Sequence, residues 1–320
     1  MSATLPVRPD LLTRATDHVD RVVGRPLDRL ARRVVGHSLA ERETEATELM
    51  DDPGCDAEAL RRTYRQFVTV NRLVSGWRAV YVRRLRPLLS AETTTTLLDV
   101  GSGGGDVPRA LARWAARDGL LLAITAIDPD DRATAYASSL PPVPGIIFRP
   151  CFSSELVREG ARFDVVTSNH VLHHLDATAL AGLLDDSAAL ARRLVVHDDI
   201  ARSPLAALGY WVGTLPLHRR GRPHASFVRD DGLLSVRRSY RPEELAAVLP
   251  DGWTVERLPF RALAVLDRTA ATGDTGTATS GGAGAATPGD SGTAPPGDSG
   301  TATSGGTGAG AGTTQDQRRA

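Results

Sequence analysis

A glycine-rich turn is the first feature of this sequence that suggests chemistry. Residues 97–106 read LLDVGSGGGD, so an apolar run passes through Asp99 into a turn that contains Gly101, Gly103 and Gly105. Glycine allows a sharp turn and brings bare backbone N–H groups close to a ligand. A helical pattern resumes at Asp106, which predicts a strand, a tight turn and a helix. This order is typical of a loop that binds a nucleotide-like cofactor.

The spacing of the glycines separates two kinds of cofactor. The dinucleotide fingerprint requires glycine at its first, third and sixth positions, and the sixth position counted from Gly101 is Asp106. The pattern for binding a pyrophosphate is therefore incomplete. An NAD(P)-dependent oxidoreductase stays open as an alternative if the missing glycine is tolerated, and so does a scaffold protein that binds a cofactor without turnover.

A second carboxylate follows the next apolar run. Asp128 directly follows Leu121–Ile127 and precedes Pro129. A carboxylate at the end of a neighbouring parallel strand can accept hydrogen bonds from both hydroxyls of a ribose. An Asp-Pro pair alone is more typical of a turn, so the predicted ribose contact depends on the glycine turn as well.

Histidines supply the candidate general base. All 38 basic residues are arginine, because the chain contains no lysine, and this excludes a lysine base or a Schiff base. His170 and His173 follow the apolar run at 163–168, and an imidazole with a pKa near 6.5 can accept a proton at neutral pH. Asp198 or Asp199 could orient either ring. A core histidine with satisfied nitrogens is the competing interpretation for each.

The same histidines do not predict a metal site. His170 and His173 are three residues apart at a predicted strand exit, without the helical His-x-x-x-His spacing that places two imidazoles on one face. We therefore expect no metal.

Strands and helices alternate from Thr96 onward, which predicts an α/β fold with a doubly wound, mostly parallel sheet of seven strands. The predicted strands are 97–100, 121–127, 146–148, 164–168, 194–197, 253–258 and 262–266. The predicted helices between them are 107–117, 132–138, 154–159 and 177–192.

The remaining segments divide the chain into four regions. We expect residues 1–45 to form a basic amphipathic extension, and residues 46–95, with a helix over 56–89, to form a helical lid on the substrate side. We expect residues 96–267 to form the core, with a lid insertion at 203–241 that contains a helix over 205–217 and a hairpin-like stretch over 219–238. Residues 268–320 are rich in Gly, Thr, Ala, Ser and Pro, which predicts a disordered tail.

Composition restricts the partners and the compartment. The formal net charge is zero, so nothing in the charge balance favours nucleic acid. The longest apolar run, 205–217, is shorter than the roughly 20 residues that cross a bilayer. Two cysteines and a charged, proline-containing start of the chain favour a cytoplasmic protein without disulfides.

Four motifs resemble known methyltransferases. Asp99-x-Gly101-x-Gly103-x-Gly105 resembles motif I of the class I methyltransferases that use S-adenosyl-L-methionine, and VLHH at 171–174 is similar to methyltransferases of ubiquinone and menaquinone biosynthesis. LMDD at 49–52 and RSYRP at 238–242 resemble methyltransferases found with bacterial type III polyketide synthases.

The resemblance implies a Rossmann-like fold whose last strand is antiparallel, S-adenosyl-L-methionine as cofactor, and a small phenolic, quinone-like or polyketide-derived acceptor. It implies that Phe152 or a backbone amide lines the adenine pocket, since no acidic residue follows the third strand, and that Asn169 and His170 lie beside the sulfonium and the acceptor. The implied cofactor-binding residues are Asp99, Gly101, Ser102, Gly103, Gly105, Asp128, Pro129, Phe152 and Asn169.

Overall fold

The computed structural model describes residues 26–34, 36–74, 76–215 and 226–269. The tail predicted to be disordered, apart from residues 268 and 269, lies outside these ranges. So do residues 1–25 of the N-terminal extension and residues 216–225 of the lid insertion. Residues 26–34 are helical. None of the described helices combines the length and the apolar composition needed to cross a membrane.

A seven-stranded sheet forms the centre of the fold, as predicted. Its spatial order is β3-β2-β1-β4-β5-β7-β6. Only β7 runs antiparallel to its neighbours within this sheet, pairing with β5 on one side and β6 on the other. The strands are β1 Thr95–Val100, β2 Leu122–Ile127, β3 Ile146–Arg149, β4 Phe163–Asn169, β5 Ala191–Ile200, β6 Thr254–Leu258 and β7 Arg261–Asp267.

Besides the helical residues 26–34, nine α-helices accompany the sheet in the described part of the chain. They are α1 Ala57–Val74, α2 Trp77–Val80, α3 Asp106–Arg117, α4 Asp131–Ser139, α5 Ser153–Arg158, α6 Ala177–Leu190, α7 Pro204–Gly213, α8 Val228–Arg238 and α9 Pro242–Val248. Single 3-10 turns lie at Leu49–Asp51, Arg86–Leu88 and Leu172–His174, and a π turn lies at Tyr81–Leu85.

Side-chain caps fix where several helices begin. Asp130 accepts a hydrogen bond from the backbone N–H of Arg132 at 2.8 Å, and Asp176 accepts one from Ala179 at 2.8 Å. Such caps satisfy N–H groups that have no partner inside the helix. The sequence thus determines where α4 and α6 begin. Helix α4 follows the end of β2, and α6 follows the loop after β4.

Two predicted elements differ from the structure. The helix predicted over 56–89 is interrupted, because Gly76 adopts the left-handed conformation with φ 56°. The hairpin-like interpretation of 219–238 is wrong for its second half, where residues 228–238 form α8. Acidic residues in the first turn of α8 and arginines in its last turn favour the helix through its dipole.

The strand order brings three strand ends together. β1 pairs in parallel with β2 and with β4, so Val100 lies beside Ile127 on one side and Ser168 on the other. The chain order reverses at β1, and ligands of open α/β sheets bind at the carboxyl ends of strands where this reversal occurs. The turn after β1 therefore lies at the expected binding edge.

Alternating side chains of the central strands form two separate cores. Leu98, Val166 and Val195 are buried on one face of the sheet. Their neighbours Leu97, Val165 and Leu194 are buried on the other. Burial on both faces explains why these strands read as continuous apolar runs.

We expect Leu98→Ala to lower the free energy of unfolding by about 2–5 kcal/mol, since it removes a fully buried side chain and leaves a cavity. Leu121→Ala is the matched control, because Leu121 is 42% exposed whereas Leu98 is 0% exposed. Urea unfolding of both variants measures the difference. Equal losses would contradict the burial described for β1.

Candidate active site

The turn after β1 is built on glycines in the left-handed conformation. Gly101 has φ 68° and Gly103 has φ 51°. A Cβ atom at Gly101 would lie 2.5 Å from Cγ2 of Val171, whereas a Cβ atom at Gly103 would meet no atom within 4 Å. Gly101 is therefore packed against the exit of β4, and Gly103 faces open space that a ligand can occupy.

Asp128 is fixed by backbone N–H groups at the end of β2. Its Oδ2 atom accepts a hydrogen bond from Gly103 at 2.8 Å, and its Oδ1 atom accepts one from Asp130 at 2.9 Å. Burial raises the pKa of Asp128, and these two N–H groups oppose that rise. The carboxylate thus connects the glycine turn to the neighbouring strand. Pro129, next in the chain, is exposed.

Asp99 and Ser102 support the turn from inside. Asp99 is buried in β1, and its Oδ1 atom accepts a hydrogen bond from Thr167 Oγ1 at 2.9 Å. Burial raises the pKa of Asp99 to about 7. The backbone N–H of Ser102 donates to the carbonyl of Ile127 at 3.0 Å. Both predicted cofactor residues hold the shape of the turn.

The segments 57–74 and 76–88 cover the same edge of the sheet. Asn71 donates to Asp106 Oδ2 at 2.9 Å, and Trp77 Nε1 donates to Asn169 Oδ1 at 2.8 Å. The rings of Tyr64 and Tyr136 lie 5.0 Å apart. A Cβ atom on Gly104, in the glycine turn, would be 3.1 Å from Cβ of Tyr64. The helical region before β1 therefore contacts both the glycine turn and the end of β4.

His170 follows β4 in an unusual backbone conformation. Its φ is 58°, rare for a non-glycine residue, and its backbone N–H donates to the carbonyl of Asp198 at 2.8 Å. The Nε2 atom is buried and has no hydrogen-bond partner among the described residues. Burial lowers the pKa of His170 to about 4. The imidazole is therefore neutral at pH 7.

His173 is held between two carboxylates. Its Nδ1 atom lies 2.7 Å from Asp199 Oδ1, and its Nε2 atom lies 3.4 Å from Glu48 Oε1. Burial opposes the charged ring, but Asp199 and Glu48 outweigh this effect and raise the pKa of His173 to about 10. The ring therefore keeps its proton at neutral pH and cannot accept another.

Of Asp198 and Asp199, one of which was predicted to orient a histidine ring, Asp199 takes that role. Asp199 binds His173, as described above, whereas Asp198 forms a buried ion pair with Arg261. His197, on β5, lies with Nδ1 2.7 Å from Ser168 Oγ and stacks on Trp253 at 5.6 Å. Asp198 contacts His170 through its backbone carbonyl and not through its carboxylate.

Phe152 lies just after β3, at the same edge of the sheet. Its side chain is 61% exposed, and its backbone N–H donates to Glu155 Oε1 at 2.9 Å as α5 begins. Because Arg149 pairs with Ile127 across β3 and β2, Phe152 and Asp128 follow neighbouring strand ends. The exposed ring is free for contact with a planar ligand.

Sequence reasoning missed the functional candidates that precede α1. Glu48 contacts His173, and Asp51 Oδ2 lies 3.2 Å from His174 Nδ1. Asp51 lies within the segment 49–52 that resembles other methyltransferases and Glu48 directly precedes it, which is the one signal in the sequence that pointed to them.

A family model described as a methyltransferase domain matches residues 74–248, more than half of the chain. The match covers the glycine turn, Asp128 and the exit of β4. A comparison with curated proteins gives no match.

Solved structures of several methyltransferases are similar to this chain. The plantazolicin methyltransferase BpumL in complex with SAH is 12% identical to this chain, with a TM-score of 0.49. The similarity covers 77% of this chain and 98% of the BpumL chain. Magnesium protoporphyrin IX methyltransferase (ChlM) from Synechocystis PCC 6803 with bound SAH is 16% identical, with coverages of 79% and 97% and a TM-score of 0.38. A SAM dependent methyltransferase from Aquifex aeolicus is 16% identical, with coverages of 54% and 82% and a TM-score of 0.36.

We expect Gly101→Ala to destabilise the protein more than Gly103→Ala. Both variants force alanine into a left-handed conformation, at a cost of about 1–2 kcal/mol, but only Gly101→Ala also brings a Cβ atom against Val171. Urea unfolding measures the difference. If Gly103→Ala were the more costly variant, the packing described for this turn would be wrong.

Proposed function

Since this chain belongs to the methyltransferase domain family and is an S-adenosylmethionine-dependent methyltransferase, we propose that it methylates a small aromatic, quinone-like or polyketide-derived acceptor. The observation that carries this proposal is the buried, unpartnered Nε2 atom of His170 at the end of β4. A neutral imidazole suits an acceptor that must lose a proton, as a phenol does.

The described residues fit the cofactor at the edge formed by β1, β2 and β3. We propose that the turn 101–105, supported by Asp99, holds the methionine end of the cofactor in the open space beside Gly103. Asp128 then accepts hydrogen bonds from the ribose hydroxyls, and Phe152 contacts the adenine with its exposed ring. Asn169, already bound to Trp77, lies at the sulfonium end.

The protein contributes alignment and one proton acceptor. When bound, the cofactor supplies an electrophilic methyl group and leaves as S-adenosylhomocysteine. His170 would take the proton from the acceptor hydroxyl, so that this oxygen can accept the methyl group that the cofactor supplies. The helical segments 57–74 and 76–88 exclude water from one side, so that most of the rate comes from holding donor and acceptor in line.

His170 fits the role of base better than His173, although both are candidates. His173 already carries a proton between Asp199 and Glu48, and its ring is fully buried. His170 is neutral, and its Nε2 atom, which has no hydrogen-bond partner among the described residues, can accept a proton in the tautomer that carries its hydrogen on Nδ1. We therefore propose that His170 is the base and that His173 positions the loop that carries it.

The two alternative functions are less well supported. A dinucleotide would require glycine at position 106, where Asp106 instead binds Asn71 and thereby fixes α1 on the turn. A scaffold without turnover would bind the cofactor and transfer no methyl group. Incubation with methyl-labelled S-adenosylmethionine and a panel of phenols, quinols and carboxylic acids separates the cases. Labelled aryl methyl ethers support the proposal, whereas label only in esters, or in no product, contradicts it.

We expect Asp128→Ala to weaken the binding of S-adenosylhomocysteine by about 1–3 kcal/mol, because the ribose hydroxyls lose a charged acceptor. Isothermal titration calorimetry measures this affinity. Asp131→Ala is the matched control, since it removes a neighbouring exposed carboxylate from the first turn of α4. Unchanged affinity in Asp128→Ala would remove the ribose contact from the proposal.

We expect His170→Asn to reduce kcat by about 10²–10⁴-fold while cofactor affinity stays unchanged. Asparagine tolerates a left-handed backbone, so this variant removes the imidazole without adding strain. His37→Asn, at an exposed position, is the control. The rate is measured with the best phenol of the panel. A kcat within about twofold of the parent value would exclude His170 as the base.

A further inference from the structure

Three side chains outside the proposed methyl-transfer step converge on one point. Glu48 immediately precedes the 3-10 turn Leu49–Asp51, and His173 and His174 belong to the turn that follows β4. His173 Nε2 lies 3.4 Å from Glu48 Oε1, and His174 Nε2 lies 3.9 Å from Glu48 Oε2. One ligand atom from each residue lies within 4.8 Å of the other two.

Both imidazoles are oriented by a carboxylate on their far side. Asp199 Oδ1 lies 2.7 Å from Nδ1 of His173, and Asp51 Oδ2 lies 3.2 Å from Nδ1 of His174. Glu48 is itself held by Ser235, whose hydroxyl donates to Oε1 at 2.7 Å. This is the arrangement in which a carboxylate fixes the tautomer of a histidine and leaves Nε2 for a metal.

Contrary to the expectation from the histidine spacing in the sequence, we propose that Glu48, His173 and His174 form a binding site for a divalent transition-metal ion of the zinc type. Two imidazole nitrogens and one carboxylate oxygen form a ligand set that Zn²⁺ commonly uses, with metal–ligand bonds of about 2.0–2.2 Å. Ligands of a tetrahedral site with such bonds are about 3.4 Å apart, which matches the distance from His173 to Glu48. The fourth position is left for water or another oxygen ligand.

The Nε2 atom of His173 faces Glu48 at ion-pair distance but without hydrogen-bond geometry. The Nε2 atom of His173 is buried and has no hydrogen-bond partner among the described residues, and the whole residue is 1% exposed. Buried polar atoms are almost always satisfied. A metal ion would bind this atom and neutralise the charge of Glu48. It would replace the proton that His173 otherwise holds between the two acidic side chains.

The site is open to solvent from one side. The side chain of His174 is 28% exposed and that of Asp51 is 43% exposed, whereas Glu48 and His173 are buried. An ion can therefore enter past His174. Once bound, it would connect the segment before α1 to the exit of β4, two parts of the chain that are otherwise joined here by ion pairs.

Direct metal binding to the untagged, full-length protein tests this proposal without any acceptor or methyl transfer. After treatment with a chelator, titration with ZnCl₂ is expected to give about one equivalent bound per chain, and CoCl₂ to give the visible absorption of a four-coordinate ion. We expect His174→Ala and Glu48→Gln each to weaken Zn²⁺ binding by about 100-fold or more. MgCl₂ is expected not to compete.

His37→Ala and Glu45→Gln are the controls, because they remove an exposed imidazole and an exposed carboxylate elsewhere. Circular dichroism of each apo variant shows whether it is folded, and His174 is exposed enough that we expect its removal to be tolerated. Zn²⁺ affinity that is absent in the parent protein, or equal in the parent, His174→Ala and Glu48→Gln, would overturn the proposal. The cluster would then be a proton-bridged contact alone.

Discussion

Buried carboxylates at the carboxyl ends of the strands impose the main constraint on this structure. A buried charge is costly unless a hydrogen bond or an opposite charge compensates it, and each acidic residue at this edge obtains a different partner. Asp99 uses Thr167, Asp128 uses backbone N–H groups, Asp198 uses Arg261 of β7, and Asp199 uses His173. These partners come from separate parts of the chain, so compensation of the charges brings those parts together around the crevice.

The two histidines proposed as bases illustrate how position divides the chemistry. His170 and His173 have ring centroids 6.4 Å apart, yet only His173 lies between carboxylates. Burial is the larger influence on His170, and the neighbouring charge of His173 adds to it by disfavouring a second cation. The ring of His173 thus carries a fixed positive charge, and the ring of His170 stays neutral beside it. The loop after β4 can therefore supply both a charged ring that binds two carboxylates, in His173, and a proton acceptor, in His170.

The sequence predicted those features that depend on local patterns. All seven strands and the helices from 106 to 190 follow from apolar periodicity and from the positions of glycines and caps, and the glycine turn was identified from its spacing. The sequence prediction did not include the break at Gly76 or the helix at 228–238, although the glycine and the opposite charges at the two ends of α8 are local signals for them. Asp51 and His174 are 123 residues apart in the sequence. The periodicity of apolar residues does not predict a contact between residues so far apart.

The segment around Glu48 is as much a part of the site as the loop after β4. Asp231 of α8 accepts hydrogen bonds from the backbone N–H groups of Leu49 and Met50, at 2.8 and 3.0 Å, and Ser235 of the same helix holds Glu48. Arg238, at the end of α8, donates to the carbonyls of His173 and His174. Helix α8 therefore fixes the acidic segment and the histidine loop at once. Because one helix sets both, the distance between Glu48 and the two imidazoles is determined by backbone contacts and not by the attraction of their charges alone, which is the preorganisation that a binding site requires.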